Sequence, residues 1–378
     1  ATGVRPSLDF AQETPSPDDD ALAPAGTDVQ LTDTSLLTAE QVGRSASDYT
    51  WTVRRTSDNS TGTGLVSPCQ RERYADPRGT AALVRTFDAE KKKPRRQPPA
   101  IFAQLSEASA TERAARRAFR TTLSWYGGCE VERVQLLSTT QVEGVGDEAD
   151  LVVLRSWADP VETTVVAIAR TGQFVTTTVS TVGGKETPST KRAAALLGQA
   201  VTGLCTLPEG GACAGRADLV DVPPVPVGAV PAMLAELDLP PVKGVEEPWV
   251  GTEPVAADTN VASTRCDDAD FGGKFEGAAF KSAMTRTFLV PEARLPDEFG
   301  LTETVGSLPR KQAAAFVDQV RSRLASCPNR DLGTDAVRVV HEESGRTDLS
   351  VWRLTTEITD QSTLEYSMAI IRNGSAVA

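Results

Sequence analysis

Two short apolar runs, each followed by a second run that ends in a turn, recur in the two halves of the chain. The first pair is Asp150–Arg155 with Ala167–Gly172, and the second pair is Asp348–Arg353 with Ala369–Gly374. Asn373-Gly374 between apolar runs is a strong hairpin signal, because both central residues of a type I′ turn need positive φ. The pattern therefore predicts a β-hairpin that occurs twice.

Other landmarks recur at nearly the same spacing. The matched features are Trp51 with Trp249, Cys69 with Cys266, Cys129 with Cys327, and Arg85-Thr86-Phe87 with Arg286-Thr287-Phe288. The first three separations are 198, 197 and 198 residues. A period of this length is far too long for a solenoid, and two copies of such a unit indicate two domains. We therefore interpret the chain as an internal duplication.

Each half also carries a helix before its hairpin. In the first half, Ser109-Ala110-Thr111-Glu112 has the form of a capping box with the serine as N-cap, and Gly127-Gly128 ends the helix. In the second half, the helix is predicted to begin at Ser307, with Pro309 in its first turn and Cys327 at its end.

Four strands are predicted after each helix, and the first half closes with a further helix. The strands are expected at 131–138, 150–157, 162–170 and 173–181, and again at 337–342, 348–357, 364–372 and from 375 onward. Apolar residues at helical spacing predict the closing helix at about 190–204. The predicted fold class is α+β: two similar domains, each an antiparallel β-sheet packed with helices and stapled by a disulfide that joins a helix to an extended segment.

The predicted organisation has four parts. These are a flexible acidic, Pro-rich tether at 1–35, the first repeat at 36–206, a Pro-rich linker at 207–230 and the second repeat at 231–378. The tether is expected because its composition buries too little apolar surface to offset the entropy of ordering. The second repeat stops inside its fourth strand, so it is expected to lack the last strand and helix. We expect the natural polypeptide to continue for about thirty residues, which would cover the sheet.

Composition and cysteine count limit the classes of function. The net charge of −12 argues against nucleic-acid binding, which rests on clustered Lys and Arg. No stretch approaches the ~20 apolar residues that a membrane span needs. Six cysteines with duplicated spacing predict a disulfide framework, which is typical of an oxidising, extracytoplasmic compartment. The alternative is a set of buried free thiols in a cytosolic protein.

The cysteine positions also suggest the pairing. In each repeat one cysteine lies in an extended segment, and another lies 60 or 61 residues later at the end of a helix. The two remaining cysteines flank a short Pro-Glu-Gly-Gly segment and are expected to pair locally. The predicted bridges are Cys69–Cys129, Cys266–Cys327 and Cys205–Cys213.

The sequence offers little catalytic or metal-binding chemistry. A Ser-His-Asp or Cys-His triad needs an imidazole base, and the single histidine, His341, is interpreted as an ordinary strand residue. Asp267–Gly273 resembles a calcium loop only faintly, because Gly272 and Ala279 stand where oxygen ligands are needed. No phosphate- or dinucleotide-binding fingerprint is present. We therefore predict no catalytic residue, no cofactor and no metal site.

The order of these landmarks is similar to a known family. A Trp (Trp51) precedes a Cys (Cys69), a second Cys (Cys129) follows about sixty residues later at a helix end, and strands, a hairpin and a closing helix come next. This arrangement resembles the extracellular sensor domain of actinobacterial PknH-type receptor Ser/Thr kinases, which also occurs in secreted lipoproteins. The resemblance covers 36–206 once and 231–378 once. No kinase domain accompanies it.

The resemblance implies an antiparallel sheet whose helices frame a cleft, and a role in sensing a ligand or partner without enzymatic activity. The two long-range bridges match the family's bridge, whereas Cys205 and Cys213 lie at the domain edge and match its other bridge poorly. No ligand-binding residue can be carried over. Trp51 and Trp249 have two open interpretations, since they either line a groove or pack against the helix.

The expected function is therefore that of a non-catalytic sensor or ligand-binding protein of the cell envelope, either secreted or lipid-anchored at its N-terminus. Its ligand or partner is expected to be a small molecule, glycan, lipid or envelope protein, held in a cleft between helix and sheet. Two alternatives from other classes stay open. One is a secreted hydrolase that uses carboxylates in the cleft, and the other is a structural module for protein interaction.

Overall fold

The computed structural model describes residues 30–93, 98–227, 230, 232–257, 263–344, 347–359 and 362–378. Within these bounds the chain separates into two compact units. The first unit comprises 30–227 and Leu237–Glu246, and the second comprises 230–236 and Glu247–Ala378. Four α-helices occur in the described residues: α1 Ala39–Ser45, α2 Glu112–Gly127, α3 Thr190–Cys205 and α4 Arg310–Arg330. None of them combines the length and apolarity needed to cross a membrane.

An antiparallel sheet of eight strands forms the centre of the first unit. The strands are β1 Tyr49–Ser57, β2 Ala81–Lys91, β3 Ala100–Ala108, β4 Val134–Glu143, β5 Glu148–Ser156, β6 Glu162–Thr171, β7 Phe174–Gly183 and β8 Asp218–Val222. Their order across the sheet is β1-β2-β3-β7-β6-β5-β4-β8. Helix α2 packs on one face of this sheet, and α1 and α3 pack on the other.

A second antiparallel sheet belongs to the second unit. The remaining strands are β9 Val250–Gly251, β10 Val255–Ala256, β11 Lys274–Phe275, β12 Ala278–Ala279, β13 Lys281–Leu289, β14 Leu301–Ser307, β15 Thr334–Ser344, β16 Thr347–Thr359, β17 Ser362–Asn373 and β18 Ala376–Val377. The order is β10-β13-β14-β18-β17-β16-β15, with β9 also paired to β13, and β11-β12 form a separate hairpin. The apolar residues of α4 pack on one face of this sheet. The protein is thus α+β, with two antiparallel sheets and few helices.

The two sheets share one strand order from β2 to β4 and from β13 to β15, with a helix in the same place along the chain. The repeated hexapeptides, however, are out of register by two residues. Arg170 and Arg372 both lie two residues before the turn glycine, but Arg170 pairs with Glu148 whereas Arg372 pairs with Asp348. Glu148, and not Asp150, is therefore the counterpart of Asp348 in the sheet.

The hairpin turns also differ from the predicted form. β6 and β7 are joined through Gly172, with φ +56°, and β17 and β18 through Gly374, with φ +64°. Asn373 is the last residue of β17 and is not among the residues with positive φ. The glycine alone supplies the left-handed conformation, so the turn is centred one residue later than the Asn-Gly pattern predicts.

Helix limits differ where local capping overrides the sequence pattern. The N-cap of α2 is Thr111, whose hydroxyl accepts a hydrogen bond from Ala114 N at 3.1 Å, so Ser109 as the cap was wrong. Helix α4 begins after Pro309 and continues three residues beyond Cys327, although Pro328 lies within it. Proline has no N–H to donate, but the helix continues past it, and Asp331 N donates to Cys327 O.

Two predicted connecting segments are shorter than expected. The tether falls outside the described residues as far as residue 29, but Asp33–Ser35 forms a short 3-10 helix in which Ser35 is buried. Within the predicted linker, Asp218–Val222 is not a linker at all but strand β8, which pairs antiparallel with β4. Leu219 and Val222 are half-buried, whereas Asp218, Val220 and Asp221 are exposed, which suits an edge strand.

The six cysteines form three disulfides, in the pairs that the sequence predicts. Cys69 is bonded to Cys129, just after α2, and Cys266 is bonded to Cys327, within α4. The third bridge, Cys205–Cys213, closes a loop at the end of α3. No described cysteine is free. Disulfides of this number are typical of proteins outside the reducing cytosol.

Candidate functional site

A cavity of about 280 Å³ lies in the first unit, between the sheet and the helices α1 and α3. Strands β1, β3, β6 and β7 supply its floor and one wall, and the first two turns of α3 supply another. The segment 186–189, which connects β7 to α3, forms part of its mouth. This volume lies just below the range of about 300–1,000 Å³ that is usual for small-molecule sites.

Aromatic rings line the β1 side of the cavity. Tyr49 and Trp51 alternate with an exposed residue along β1, so both rings point to the same face of the sheet. Trp51 meets Phe102 of β3 edge-to-face, with ring centroids 6.2 Å apart. The polar atoms of both β1 rings are already satisfied: Tyr49 Oη donates to Pro98 O at 2.9 Å, and Trp51 Nε1 donates to Ala46 O at 3.1 Å. The rings therefore offer the cavity mainly apolar surface.

The two helices that close the cavity are fixed by side-chain caps. Thr38 caps α1 by accepting from Gln41 N, while the Gln41 side chain accepts from Thr38 N at 2.7 Å. Ser189 caps α3 by accepting from Arg192 N. Leu196 of α3 packs in one apolar cluster with Trp51 and Phe102. The apolar wall of the cavity is thus continuous with the core of the unit.

Two hydroxyl groups interrupt the apolar floor. Thr178 and Ser180 stand two residues apart on β7, so their side chains share the face that borders the cavity. Thr178 is only 3% exposed, yet neither hydroxyl has a hydrogen-bond partner within the described part of the chain. Their neighbour Thr176 on the same face is bonded to Ser106 Oγ at 2.9 Å. Neither oxygen is a fully buried atom without a partner, so both hydroxyls are open to the cavity, where they can hydrogen-bond to water or to a ligand.

Among the described residues, the charged groups that line the cavity lie at its mouth. These are Asp48, Glu186 and Arg192, and each is exposed. The pKa of Tyr49 is raised above its ordinary value, chiefly by burial and secondarily by the negative charges of Asp48 and Glu186. The field of the two carboxylates therefore reaches the tyrosine, while the floor itself carries no charge.

The two tryptophans singled out from the sequence have different environments. Trp51 is buried, lines the cavity, and shares an apolar cluster with Val42 of α1 and Leu196 of α3. It therefore both borders an opening and packs against helices. Trp249 is half-buried and stacks on Phe299, with ring centroids 5.7 Å apart. It does not line this cavity.

Two carboxyl groups with raised pKa values lie elsewhere. Burial raises the pKa of Glu107 to about 7, although it accepts a hydrogen bond from Ala75 N at 2.8 Å. Burial, and then the charge of Glu148, raises the pKa of Asp150 to about 6. Glu107 and Phe102 lie on opposite faces of β3, and Phe102 is on the cavity side. Asp150 lies on the α2 face of β5, together with Val152. Neither carboxyl faces the cavity, so they do not form the converging acidic pair that a hydrolase needs.

His341 is brought close to a serine and an aspartate in the second unit. Its Nδ1 lies 3.0 Å from Ser350 Oγ and 3.9 Å from Asp348 Oδ1. In a catalytic triad the carboxylate and the nucleophile contact opposite ring nitrogens, whereas here both approach the same one. Ser350 is fully buried and also accepts from Arg321 Nε at 3.0 Å. The geometry is that of a structural ion cluster, in which Arg321 and Arg372 flank Asp348.

The faint calcium loop also has a structural explanation. Asp267 accepts from Thr264 N and Ala269 N, and Asp270 accepts from Gly272 N and Gly273 N. These carboxylates thus stabilise the loop to which they belong, through hydrogen bonds to its backbone N–H groups. Among the described residues, no group of three or more His, Cys, Asp or Glu side chains is arranged to hold a metal ion.

Sequence reasoning missed Thr178 and Ser180, and only their place in a strand rich in β-branched residues hinted at them. It also missed the contribution of α1, whose signal was the Thr38–Gln41 capping pattern. Comparison of the chain with protein-family models gives no match, and a search of curated proteins finds no significant relative.

Proposed function

We propose that this protein is a non-catalytic ligand-binding protein that works outside the cytosol and holds a small, largely apolar molecule in the cavity of its first unit. The observation that carries this proposal is the Thr178 hydroxyl, which has no partner among the described residues and opens onto the floor of an aromatic cavity. A folded core usually satisfies such groups, whereas a ligand site leaves a few polar atoms for the ligand.

Binding without catalysis is favoured by where the titratable groups lie. Catalytic acids and bases are usually found where burial and charge shift their pKa values within a cleft. Here Glu107 and Asp150 have such shifts but face the other side of the sheet. Trp51 and Phe102 contribute apolar surface that suits recognition rather than proton transfer.

We also propose that the two units are copies of one domain, each stapled from a helix to an extended segment. The shared strand order and the bridges of nearly equal separation, 60 and 61 residues, support a duplication. The resemblance to PknH-type sensor domains stays part of this proposal. A sensor of that type without a kinase domain would need a protein partner to carry a signal.

The proposed location is the cell envelope, with the protein either secreted or held by a lipid anchor. Three disulfides support an oxidising compartment. Mass spectrometry of unreduced peptides from protein purified from its own cells would test this. Free thiols at all six positions would contradict it.

A cavity-filling variant tests ligand binding directly. Ala193→Phe places a ring in the cavity from the second turn of α3, and Ala195→Phe places the same ring on the exposed side of that helix. N-phenyl-1-naphthylamine, a neutral dye that fluoresces in apolar sites, is expected to bind the unaltered protein and Ala195→Phe. Binding should fall at least tenfold in Ala193→Phe. Equal dye binding by all three proteins, with unchanged melting, would reject the cavity as the site.

A further inference from the structure

The hydrogen-bonding capacity of the cavity is concentrated on β7. Three hydroxyls lie on the cavity side of this strand: Thr176 is hydrogen-bonded to Gln104 and Ser106, whereas Thr178 and Ser180 have no partner in the described residues. A hydroxyl can donate one hydrogen bond and accept others. The floor therefore accommodates either a donor or an acceptor on a ligand, and it selects for the presence of such a group.

Charge is excluded from the same place. The lining residues with charge are all at the mouth, while Val165, Val182 and Leu196 surround the hydroxyls with apolar surface. An ionised group on a ligand would lose its hydration on the floor and would gain no countercharge there. The cost of burying an unpaired charge far exceeds the gain from two neutral hydroxyl contacts.

We propose that the ligand is an uncharged molecule with a compact aromatic or alicyclic body and a hydroxyl or carbonyl group that hydrogen-bonds to Thr178. Its body lies between the Trp51–Phe102 wall and α3, and Ser180 provides a second contact nearer the mouth. This inference rests on the proposed function, because it names the class of molecule that the same cavity holds.

A matched series of bicyclic probes separates shape from hydrogen bonding and charge. Naphthalene has the apolar body alone, 2-naphthol adds a neutral hydroxyl, and 2-naphthoate adds a negative charge. Equilibrium dialysis against the full chain is expected to show 2-naphthol bound about fivefold more tightly than naphthalene, which corresponds to one net hydrogen bond. 2-Naphthoate should bind more weakly than either.

Two isosteric variants of neighbouring residues locate the contact. Thr178→Val removes the cavity hydroxyl and should remove the preference for 2-naphthol over naphthalene while leaving naphthalene binding within about twofold. Thr177→Val removes a hydroxyl that is equally buried but faces the α2 side of the same strand, and it should keep the preference.

The outcomes distinguish this inference from the proposed function. If no probe binds, the cavity is not a ligand site and the proposed function fails with the inference. If naphthalene and 2-naphthol bind equally and Thr178→Val has no effect, the ligand site stands but its assigned chemistry is wrong. Tightest binding of 2-naphthoate would also overturn the neutral class. A preference lost in Thr178→Val and kept in Thr177→Val supports the inference.

Discussion

As far as the described residues show, the corresponding face of the two sheets is closed in the first unit and open in the second. Ala167 and Ala169 lie five and three residues before the turn glycine of β6 and are completely buried beneath α3. At the same positions before the glycine of β17, Ala369 is exposed and Ile371 is only half-buried. The opposite faces, which pack against α2 and α4, are buried in both units.

The outer edges of the sheets differ in the same way. In the first unit, β8 covers β4 through five residue pairs. In the second unit, β15 is the last strand, and no strand in the described part of the chain pairs with its outer edge. Val337 and Val339 of β15 are 60% and 51% exposed.

This difference separates features that the two units share from features of the first unit alone. A sheet face that packs against a helix, and a disulfide at that helix, occur in both units. Among the described residues, the face beneath α3 is fully covered in the first unit, and the cavity lies there. The proposed ligand site therefore depends on the elements that cover the sheet.

Removing the shared bridges should have the largest effect. Replacing Cys69 and Cys129 with serine, or Cys266 and Cys327, should lower the free energy of unfolding of that unit by about 4 kcal/mol, because each bridge closes a loop of about sixty residues. Replacing Cys205 and Cys213, which close a loop of eight, should lower it by about 2.5 kcal/mol. Urea unfolding of the three double variants would show the order, and an equal loss in all three would contradict it.

Substitutions on the differing face come next. Leu197→Ala, in the buried face of α3, should destabilise the first unit by about 3 kcal/mol, because the packed core cannot close the gap. Ile371→Ala in the open face should cost less than about 1 kcal/mol. Thermal unfolding followed by calorimetry would compare them. Equal costs would mean that the second face is covered in solution.

The pH dependence of the first unit should be smaller and of defined sign. The pKa of Glu107 is about 7 in the folded state and near its ordinary value of 4.5 when unfolded, so the folded state binds more protons between these pH values. Stability should therefore fall as pH rises from about 4.5 to about 7, by on the order of 2 kcal/mol, and level off above that.

Glu107→Gln should remove most of this loss of stability between pH 4.5 and 7. Asp150→Asn should remove a smaller part, because the pKa of the Asp150 carboxyl is also raised. Gly306 takes the place of Glu107 in the second sheet, since both pair with the residue three positions after the turn glycine. The transition of the second unit serves as the internal reference. A wild-type curve that is flat from pH 4.5 to 7 would refute the assignment.

The exposed edge should give the smallest change in stability. Replacing Val337 and Val339 with lysine should alter the free energy of unfolding by less than about 0.5 kcal/mol, yet reduce self-association at high concentration, since charged edges resist strand pairing. Thr140→Lys in the covered edge should instead destabilise by more than about 1 kcal/mol, because Thr140 is buried and donates to Asp221 Oδ1. Light scattering and urea unfolding would measure both effects.

The sequence predicted elements whose signal is local. Helix α3 was expected at 190–204 and is found at Thr190–Cys205, because its apolar spacing and its Ser189 cap agree. Strands β1 to β3 were not predicted, although Trp51 and Phe87 were noted, because their apolar residues do not alternate cleanly and the pattern gives no clear strand limits.

The site was less accessible to sequence reasoning. Trp51 was a candidate because it recurs in the second half of the chain. Thr176, Thr177 and Thr178 are three consecutive residues of the same type, and they differ only in the groups that the fold places next to each side chain. Thr176 meets Gln104 and Ser106, Thr177 faces the α2 side, and Thr178 meets the cavity. The predicted cleft between helix and sheet stays a prediction, and the sequence had no means of telling which Thr faces the cavity.

The order of strands in the first sheet has a kinetic consequence. Strands β1 to β3 and strands β4 to β7 are each connected by local pairings, but β3 and β7 join over nine residue pairs that are about 70 positions apart in the chain. Closing so long a loop is slow, because its entropy must be lost before the pairing forms. The Cys69–Cys129 bridge joins the connection between β1 and β2 to the residues just before β4, and so holds the two groups of strands near each other. The oxidised chain should therefore refold faster than the reduced chain, with the joining of β3 to β7 as its late step.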